Sequence, residues 1–302
     1  MNTPLDGSLA DSIGEELAWA YAELAKAGVE NPQLDAELLM AYTLGCERID
    51  VIAHPERLIP QDRSLMFRRL VHRRASREPL SYIVGRREFW KLDFDVGDGV
   101  LVPRPETETL VECVIDRLRG VENPLIADIG VGSGCVAVSL AVELPSAVVY
   151  AIDISCRALE YTARNAEKHG VLDRVKVIQG GFMELLPYEL RGRFDAVVSN
   201  PPYIRSGDID YLQPEVSEWE PREALDGGED GMRFHREIIN NAAEWLKPRG
   251  LLCLEVGFGQ GEHVAEIAEK CGFVDVSIVN DLAGIARVLI ARRNDENISN
   301  LS

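Results

Sequence analysis

The chain has 302 residues, 46% of them hydrophobic and 27% charged, and its 50 acidic and 32 basic side chains leave a formal net charge of −18. That is the composition of a globular protein with material for one large core or two ordinary ones. No apolar run approaches the roughly 20 residues that span a bilayer. The N-terminus, with Asp6, Asp11, Glu15 and Glu16, has no basic-then-apolar leader, so a cytoplasmic protein with no membrane partner is expected.

Leu9, Ile13, Leu17, Ala20, Tyr21, Leu24 and Ala25 recur at helical spacing, and Gly28 stops that helix. Asn31-Pro32 opens a second helix, with proline at a tolerated first-turn position. Short and long helical stretches follow at 49–54 and 61–75, so residues 1–80 are expected to form a small helical domain. The last stretch is basic (Arg63, Arg68, Arg69, Arg73, Arg74, Arg77), which fits either a solvated face or a partner surface. From Tyr82-Ile83-Val84 and Glu88-Phe89-Trp90 the pattern turns strand-like, and Gly97-Asp98-Gly99 suggests the turn of a hairpin; residues 81–104 read as a β-hairpin linker.

Pro103-Arg104-Pro105-Glu106-Thr107-Glu108 then starts a helix with an acidic first turn, as the helix dipole favours. Beyond it, strands at 125–129, 148–152, 175–178, 194–199 and 251–256 alternate with helices at 135–143, 156–169, 234–246 and 261–271, and strands at 274–279 and 285–291 close the set. The alternation predicts a doubly wound, mostly parallel seven-stranded α/β sheet over 105–293, with an antiparallel strand at its edge. Residues 294–302 are polar and read as a disordered tail.

Two turns at strand ends carry the chemistry. Asp128-Ile129-Gly130-Val131-Gly132-Ser133-Gly134 follows the first strand of this sheet and opens a helix. Its glycines let backbone pass close beneath a ligand. Asp153, at the end of the next strand, stands where a carboxylate accepts both hydroxyls of a ribose. The spacing is GxGxG rather than the GxGxxG of dinucleotide sites, and Asp128 disfavours a pyrophosphate while welcoming a cation. The second turn, Asn200-Pro201-Pro202-Tyr203, ends the apolar run 194–199. Two prolines fix the backbone there, so the Asn200 amide and the neighbouring carbonyls form a rigid receptor for an NH2 group, with Tyr203 as a flat stacking surface. A cation-welcoming adenosine site beside an amide receptor points to S-adenosyl-L-methionine. Six cysteines without a CxxC pair and five histidines without ligand spacing predict neither disulfide nor metal.

Over nearly its whole length the chain resembles the release factor glutamine methyltransferases, the PrmC/HemK family. The resemblance is carried by Tyr82 to Gly85, Glu88-Phe89-Trp90, the Pro103 to Glu108 stretch, the glycine turn, Asn200 to Tyr203, and Glu220-Pro221 with Ala224-Leu225 and Asp230-Gly231. It implies methylation of the side-chain amide nitrogen of the glutamine in the Gly-Gly-Gln loop of class I peptide chain release factors, with S-adenosyl-L-homocysteine as product. It also implies a small helical domain, 1–80, for substrate recognition. By position, Asp128, Gly130, Val131, Gly132, Ser133, Gly134, Asp153 and Asn200 would hold the cofactor, and Asn200, Pro201, Pro202 and Tyr203, with Arg104 and Glu106, the glutamine. Where many methyltransferases of this build carry an acidic residue near the adenine, this chain reads Gln179-Gly180-Gly181-Phe182, so a backbone contact with Phe182 as stacking surface is expected. A nucleic-acid amino methyltransferase is the alternative, because a flipped base amine fits the same receptor. It would want a basic groove, and with a net charge of −18 no direct nucleic-acid partner is expected; a monomer is expected.

Overall fold

The computed structural model describes residues 11–183 and 186–295. Leu9 and the polar tail beyond Asp295 lie outside the described residues. The chain divides into two compact units, one running to Gly85 and taking in Pro214–Trp219, the other holding the rest.

In the first unit, helices α1 (Ile13–Lys26), α2 (Pro32–Leu44), α3 (Arg48–Ala53) and α4 (Gln61–Ala75) pack around a core that includes Leu24, Leu39, Met40, Val51 and Phe67. Ser12 opens α1 through a reciprocal capping box with Glu15, and Gly45, in the left-handed region, closes α2. Tyr82 to Val84 are not a strand. They form a single helical turn, α5 (Leu80–Val84), because Pro79 starts it and Gly85, at φ 74°, ends it.

The basic run of α4 is largely committed to ion pairs inside this unit. Arg68 reaches Glu16 and Asp11, both at 3.0 Å, and Arg73 pairs with Glu78. Arg74, only 6% exposed, bridges Asp35 and Glu215, each at 2.7 Å, and Arg77 also holds Glu215. Glu215 lies on α9 (Pro214–Ser217), so these pairs explain why Pro214–Trp219 belongs with the helices.

The second unit begins with a hairpin, β1 (Arg86–Phe89) and β2 (Leu92–Asp95). Its turn is not at Gly97 to Gly99. Trp90 and Lys91 make it, with φ of 50° and 59°, a primed turn built without the glycine that usually signals one. Trp90 is held there by Glu108, which accepts from its backbone N–H at 2.8 Å, and by Glu143, which accepts from its indole N–H at 2.9 Å. A 3₁₀ turn (Pro105–Thr107) leads into α6 (Glu108–Leu118).

The sheet comprises β3 (Leu125–Ile129), β4 (Val148–Asp153), β5 (Val175–Gln179), β6 (Phe194–Ser199), β7 (Leu246–Glu255), β8 (Val274–Asn280) and β9 (Ala286–Arg292), in the order β5-β4-β3-β6-β7-β9-β8. β3 to β7 are parallel, and β9 runs antiparallel to both β7 and β8. Helices α7 (Cys135–Glu143), α8 (Cys156–Lys168), α10 (Arg233–Trp245) and α11 (Gly261–Lys270) connect the strands. Two apolar layers result: one takes in Leu110, Val114 and Leu140, the other Ile239, Trp245 and Val264. All six β6 residues are buried, as expected of a central strand covered on both faces. The strand order reverses between β3 and β6, and in open sheets that point is where ligands bind, at the carboxyl ends.

Replacing Arg74 by Ala leaves Asp35 without its guanidinium in an interior setting. The helical unit is expected to lose about 3 kcal/mol of stability, read as faster hydrogen exchange in α2 and α4 with the sheet amides unchanged.

Candidate active site

The glycine turn leaves β3 and crosses the carboxyl end of β4. Gly130 and Val131 donate to the Ile152 carbonyl at 2.8 and 3.1 Å, and Gly132 donates to Asp153 Oδ2 at 2.9 Å. Gly130, Gly132 and Gly134 have φ of 71°, 58° and 84°, values costly for any residue with a side chain. Gly134 serves packing rather than the cavity wall: a Cβ there would stand 3.0 Å from the Cα of Thr162 on α8. Thr162 donates to the Gly132 carbonyl and Asn165 to that of Ser133, at 3.1 and 2.8 Å. Asn165 also exchanges hydrogen bonds with the Asp95 backbone, tying the turn to the hairpin.

Asp128 is 2% exposed. The Ala137 N–H, in the first turn of α7, lies close enough to favour the charged form of Asp128, whose Oδ2 has no partner among the described residues. Burial pushes its carboxyl up to about 8. Asp153 is bound at both oxygens by backbone amides, Gly132 and Ser155 at 2.9 Å each, and burial raises it against these donors. A carboxylate has about four lone-pair positions, so Asp153 keeps acceptor capacity toward the cavity.

One cavity is lined by Asp128, Gly130 to Ser133, Asp153, Phe182, Asn200, Pro201 and Pro202, and by Arg104 and Thr107. Gly180, Gly181 and Ile154 complete the wall beside Phe182, with Ile154 59% exposed; the wall carries no carboxylate there. Three carboxyl groups, Asp128, Asp153 and Glu223, face one guanidinium, Arg104, which is itself paired with the buried Glu220 at 2.6 Å. That balance, with an orphaned carboxylate oxygen, fits a cationic adenosine ligand and opposes a pyrophosphate. Glu106 and Tyr203 are not part of the cavity wall.

Asn200 emerges at the end of β6, and Ser199 fixes that end by donating to the Ile129 carbonyl at 2.6 Å. The Asn200 side-chain NH2 donates to Thr107 Oγ1 at 3.1 Å, which leaves its carbonyl oxygen available as an acceptor. Pro201 is buried and Pro202 half-buried. Tyr203 turns its hydroxyl to Glu255 Oε1 at 3.3 Å, and Gln260 donates to its carbonyl at 2.9 Å. Glycines close around this turn. A Cβ on Gly227 would lie 2.8 Å from the Pro202 carbonyl oxygen and from the Tyr203 Cα, and one on Gly257 2.9 Å from the Tyr203 ring. Thr107, Gln260, Glu255 and Asn165 were not visible as site residues in the sequence. Only the buried strand end at 251–256 hinted that Glu255, a charge in an apolar run, has a task.

A sheet with this strand order, a glycine turn after its first strand and an Asn-Pro-Pro-Tyr turn across the switch point defines a Rossmann-like methyltransferase. Residues 105–213 match the model of the methyltransferase small domain, and residues 15–85 that of the PrmC N-terminal domain. The chain is 44% identical to the release factor glutamine methyltransferase of Geobacter sulfurreducens, over 93% of this chain and 96% of that one. It is 41% identical to that of Moorella thermoacetica, over 96% and 100%. Among solved structures, a methyltransferase from Pyrococcus furiosus shares the fold, with a TM-score of 0.51 at 20% identity over 68% of this chain and 91% of that one. The chain belongs to the release factor glutamine methyltransferase family.

Gly227→Ala would press a methyl group against backbone atoms that cannot swing aside. Overpacking of this kind costs about 1–3 kcal/mol, and a lower urea midpoint of the sheet unit, with secondary structure retained, is the expected outcome.

Proposed function

We propose that the chain methylates the side-chain amide nitrogen of the glutamine in the Gly-Gly-Gln loop of class I peptide chain release factors, using S-adenosyl-L-methionine. The observation that carries this reading is the Asn200 side chain, whose NH2 is spent on Thr107 while its oxygen stays available beside a cation-welcoming cavity. An acceptor that presents NH2 protons is what such a receptor takes.

Asp128 and the backbone of Gly130 to Ser133 would hold the amino-acid end of the cofactor, Asp153 the ribose, and Ile154, Gly181 and Phe182 the adenine. When bound, the cofactor supplies an electrophilic methyl group on a sulfonium. The protein's share is positioning. An amide nitrogen is a weak nucleophile because its lone pair is delocalised into the carbonyl. Hydrogen bonds from its protons to Asn200 Oδ1 and to the Pro201 carbonyl favour pyramidalisation and stabilise the positive charge that grows on nitrogen. Pro202 keeps those acceptors from relaxing, and Tyr203, outside the cavity wall with its hydroxyl on Glu255, backs the turn that presents them. Arg104 and Glu106 lie on the stretch that borders the acceptor side. No strong base is required, since the proton leaves after transfer.

The helical segment, residues 1–80, is proposed to recognise the release factor, with 81–104 joining it to the catalytic domain at 105–293. Most arginines of its basic run are already paired, so recognition would rest on exposed side chains such as Arg69 and the apolar Ile49, Ile52 and Leu65. The same reading has the chain acting as a cytoplasmic monomer. Among the described residues no helix is long and apolar enough to cross a membrane.

Labelled methyl transfer offered in parallel to release factor, tRNA, rRNA and DNA tests the assignment. Label is expected in release factor alone; label in nucleic acid alone would overturn it. In Asn200→Ala the single-turnover rate should fall by about 10²-fold or more, with cofactor affinity changed far less.

Proton linkage gives an independent check. Asp128 titrates near 8 in the free protein and so is mostly protonated at pH 7. A cation against it favours the carboxylate, so cofactor binding should release a proton at pH 7 and tighten as pH rises toward 8. Calorimetry in buffers of different ionisation enthalpy should show that release in the wild type and its loss in Asp128→Asn.

A further inference from the structure

Behind the acceptor turn lies a carboxyl group with no part in the scheme above. Glu255, at the end of β7, is fully buried, and its Oε2 has no partner among the described residues. Its Oε1 accepts from the Tyr203 hydroxyl at 3.3 Å, and the Thr107 hydroxyl lies close enough to the same carboxyl group to favour its charged form. Thr107, 1% exposed, is the residue to which the Asn200 NH2 donates. His235, also fully buried, lies against the Glu255 carbonyl oxygen at 2.8 Å and pins the strand end. A buried carboxyl with an idle oxygen is costly, and a side chain needed only to fill space would be apolar.

Donor and acceptor logic gives it a use. A hydroxyl can donate or accept, and an Asn side chain presents either an oxygen or an NH2 depending on how its amide is turned. A carboxylate can only accept. If Glu255 is ionised, Thr107 must spend its proton on it, so Thr107 Oγ1 can only accept from Asn200, and the amide is held with its NH2 inward. We infer that Glu255 is a positioning residue for the transfer: its carboxylate sets the direction of the chain Asn200 to Thr107 to Glu255 and so keeps the Asn200 oxygen, not its NH2, facing the acceptor amide. The inference rests on the function proposed above and adds to it the part that fixes the receptor's polarity.

The groups around Glu255 bear on when it is ionised. Burial raises it to about 7, the charge of Glu106 adds to that, and the neighbouring hydroxyls of Thr107 and Tyr203 with the charge of Arg287 work against it. Arg287 is itself paired with Asp281 at 2.9 Å. His235 is held down to about 4 by burial and is neutral, and Cys135 is pushed up to about 12 and stays a thiol. Besides Asp128, which lies on the cofactor side of the crevice, the group that changes charge around neutrality is Glu255. Its charged form is lost as pH falls below about 7, and the transfer rate at saturating cofactor and release factor should fall with it.

Glu255→Gln, close in shape, tests this. Its amide can donate as well as accept, so the direction of the chain is no longer imposed. Single-turnover transfer to release factor is expected to drop by about tenfold or more, with cofactor affinity and KM for release factor little changed, and the acid limb near pH 7 should disappear. Thr107→Val, which breaks the middle link, should lose about as much, Thr107→Ser should recover most of that loss, and the double variant Thr107→Val with Glu255→Gln should be no worse than either alone. A readout without substrate completes the set. The Asn200 side-chain amide resonances of the full chain should be one slowly exchanging pair in the wild type and shifted or averaged in Glu255→Gln. Unchanged resonances together with an unchanged rate and pH profile in Glu255→Gln would overturn the inference. Failure of the wild type to label release factor would overturn the proposed function, and the Asn200 resonances would still decide what Glu255 does.

Discussion

The reversal of strand order between β3 and β6 is the constraint on which the rest depends. Connections from β3 run one way along the sheet and those from β6 the other, so the carboxyl ends of these two strands are left with a crevice between their loops. Parallel strands have no choice about which ends lie together. Asp128 with the glycine turn and Asn200 with its prolines are therefore brought to the same crevice by topology, although about seventy residues apart in sequence. In register, Asp128 lies beside Val198 and Ile129 beside Ser199, and the Ser199 hydroxyl bond to the Ile129 carbonyl locks the two ends together.

On that frame the chemistry follows from where carboxyl groups are buried. Asp128, Asp153, Glu220 and Glu255 all end in or beside the crevice, and burial raises each of them. Their environments differ. Glu220 is answered by Arg104, and Asp153 by backbone amides. Asp128 and Glu255 each retain an oxygen without a partner among the described residues. The answered pair hold loops in place. The unanswered pair store an electrostatic demand, which a cation can meet at Asp128 and hydroxyl donors meet in part at Glu255. A site of this kind is organised before its ligands arrive, so little reorganisation is left for the reaction itself.

Strand and helix order in the second unit was legible because its periods are strong: β3, α7 and β6 begin and end where the apolar runs do. Asp128, Asp153 and the Asn200 turn were legible because polar residues at the ends of buried strands are hard to explain otherwise. The hairpin turn was misplaced because Trp90 and Lys91 adopt left-handed backbone through contacts to Glu108 and Glu143, which are distant in sequence, while the glycines at 97 and 99 serve close passage against Tyr161 and Arg157. Tyr82 to Val84 have the composition of a strand, and their bracketing by Pro79 and Gly85 decided for a helical turn. The basic run in α4 could not be told from a binding face, because Glu215, which satisfies two of its arginines, lies far along the chain. Thr107 was invisible for the same reason, and Glu255 showed only as a charge in an apolar run: the role proposed for them exists only once the ends of β6 and β7 and the turn before α6 meet.

The most direct test of the account is a structure of the full chain with S-adenosyl-L-homocysteine and a peptide carrying the Gly-Gly-Gln loop. The glutamine side-chain nitrogen is predicted to lie within hydrogen-bond distance of Asn200 Oδ1 and the Pro201 carbonyl oxygen and to face the cofactor sulfur, with the Asn200 NH2 still on Thr107. A glutamine whose carbonyl oxygen, rather than its nitrogen, meets Asn200, or a peptide seated away from the crevice between β3 and β6, would contradict it.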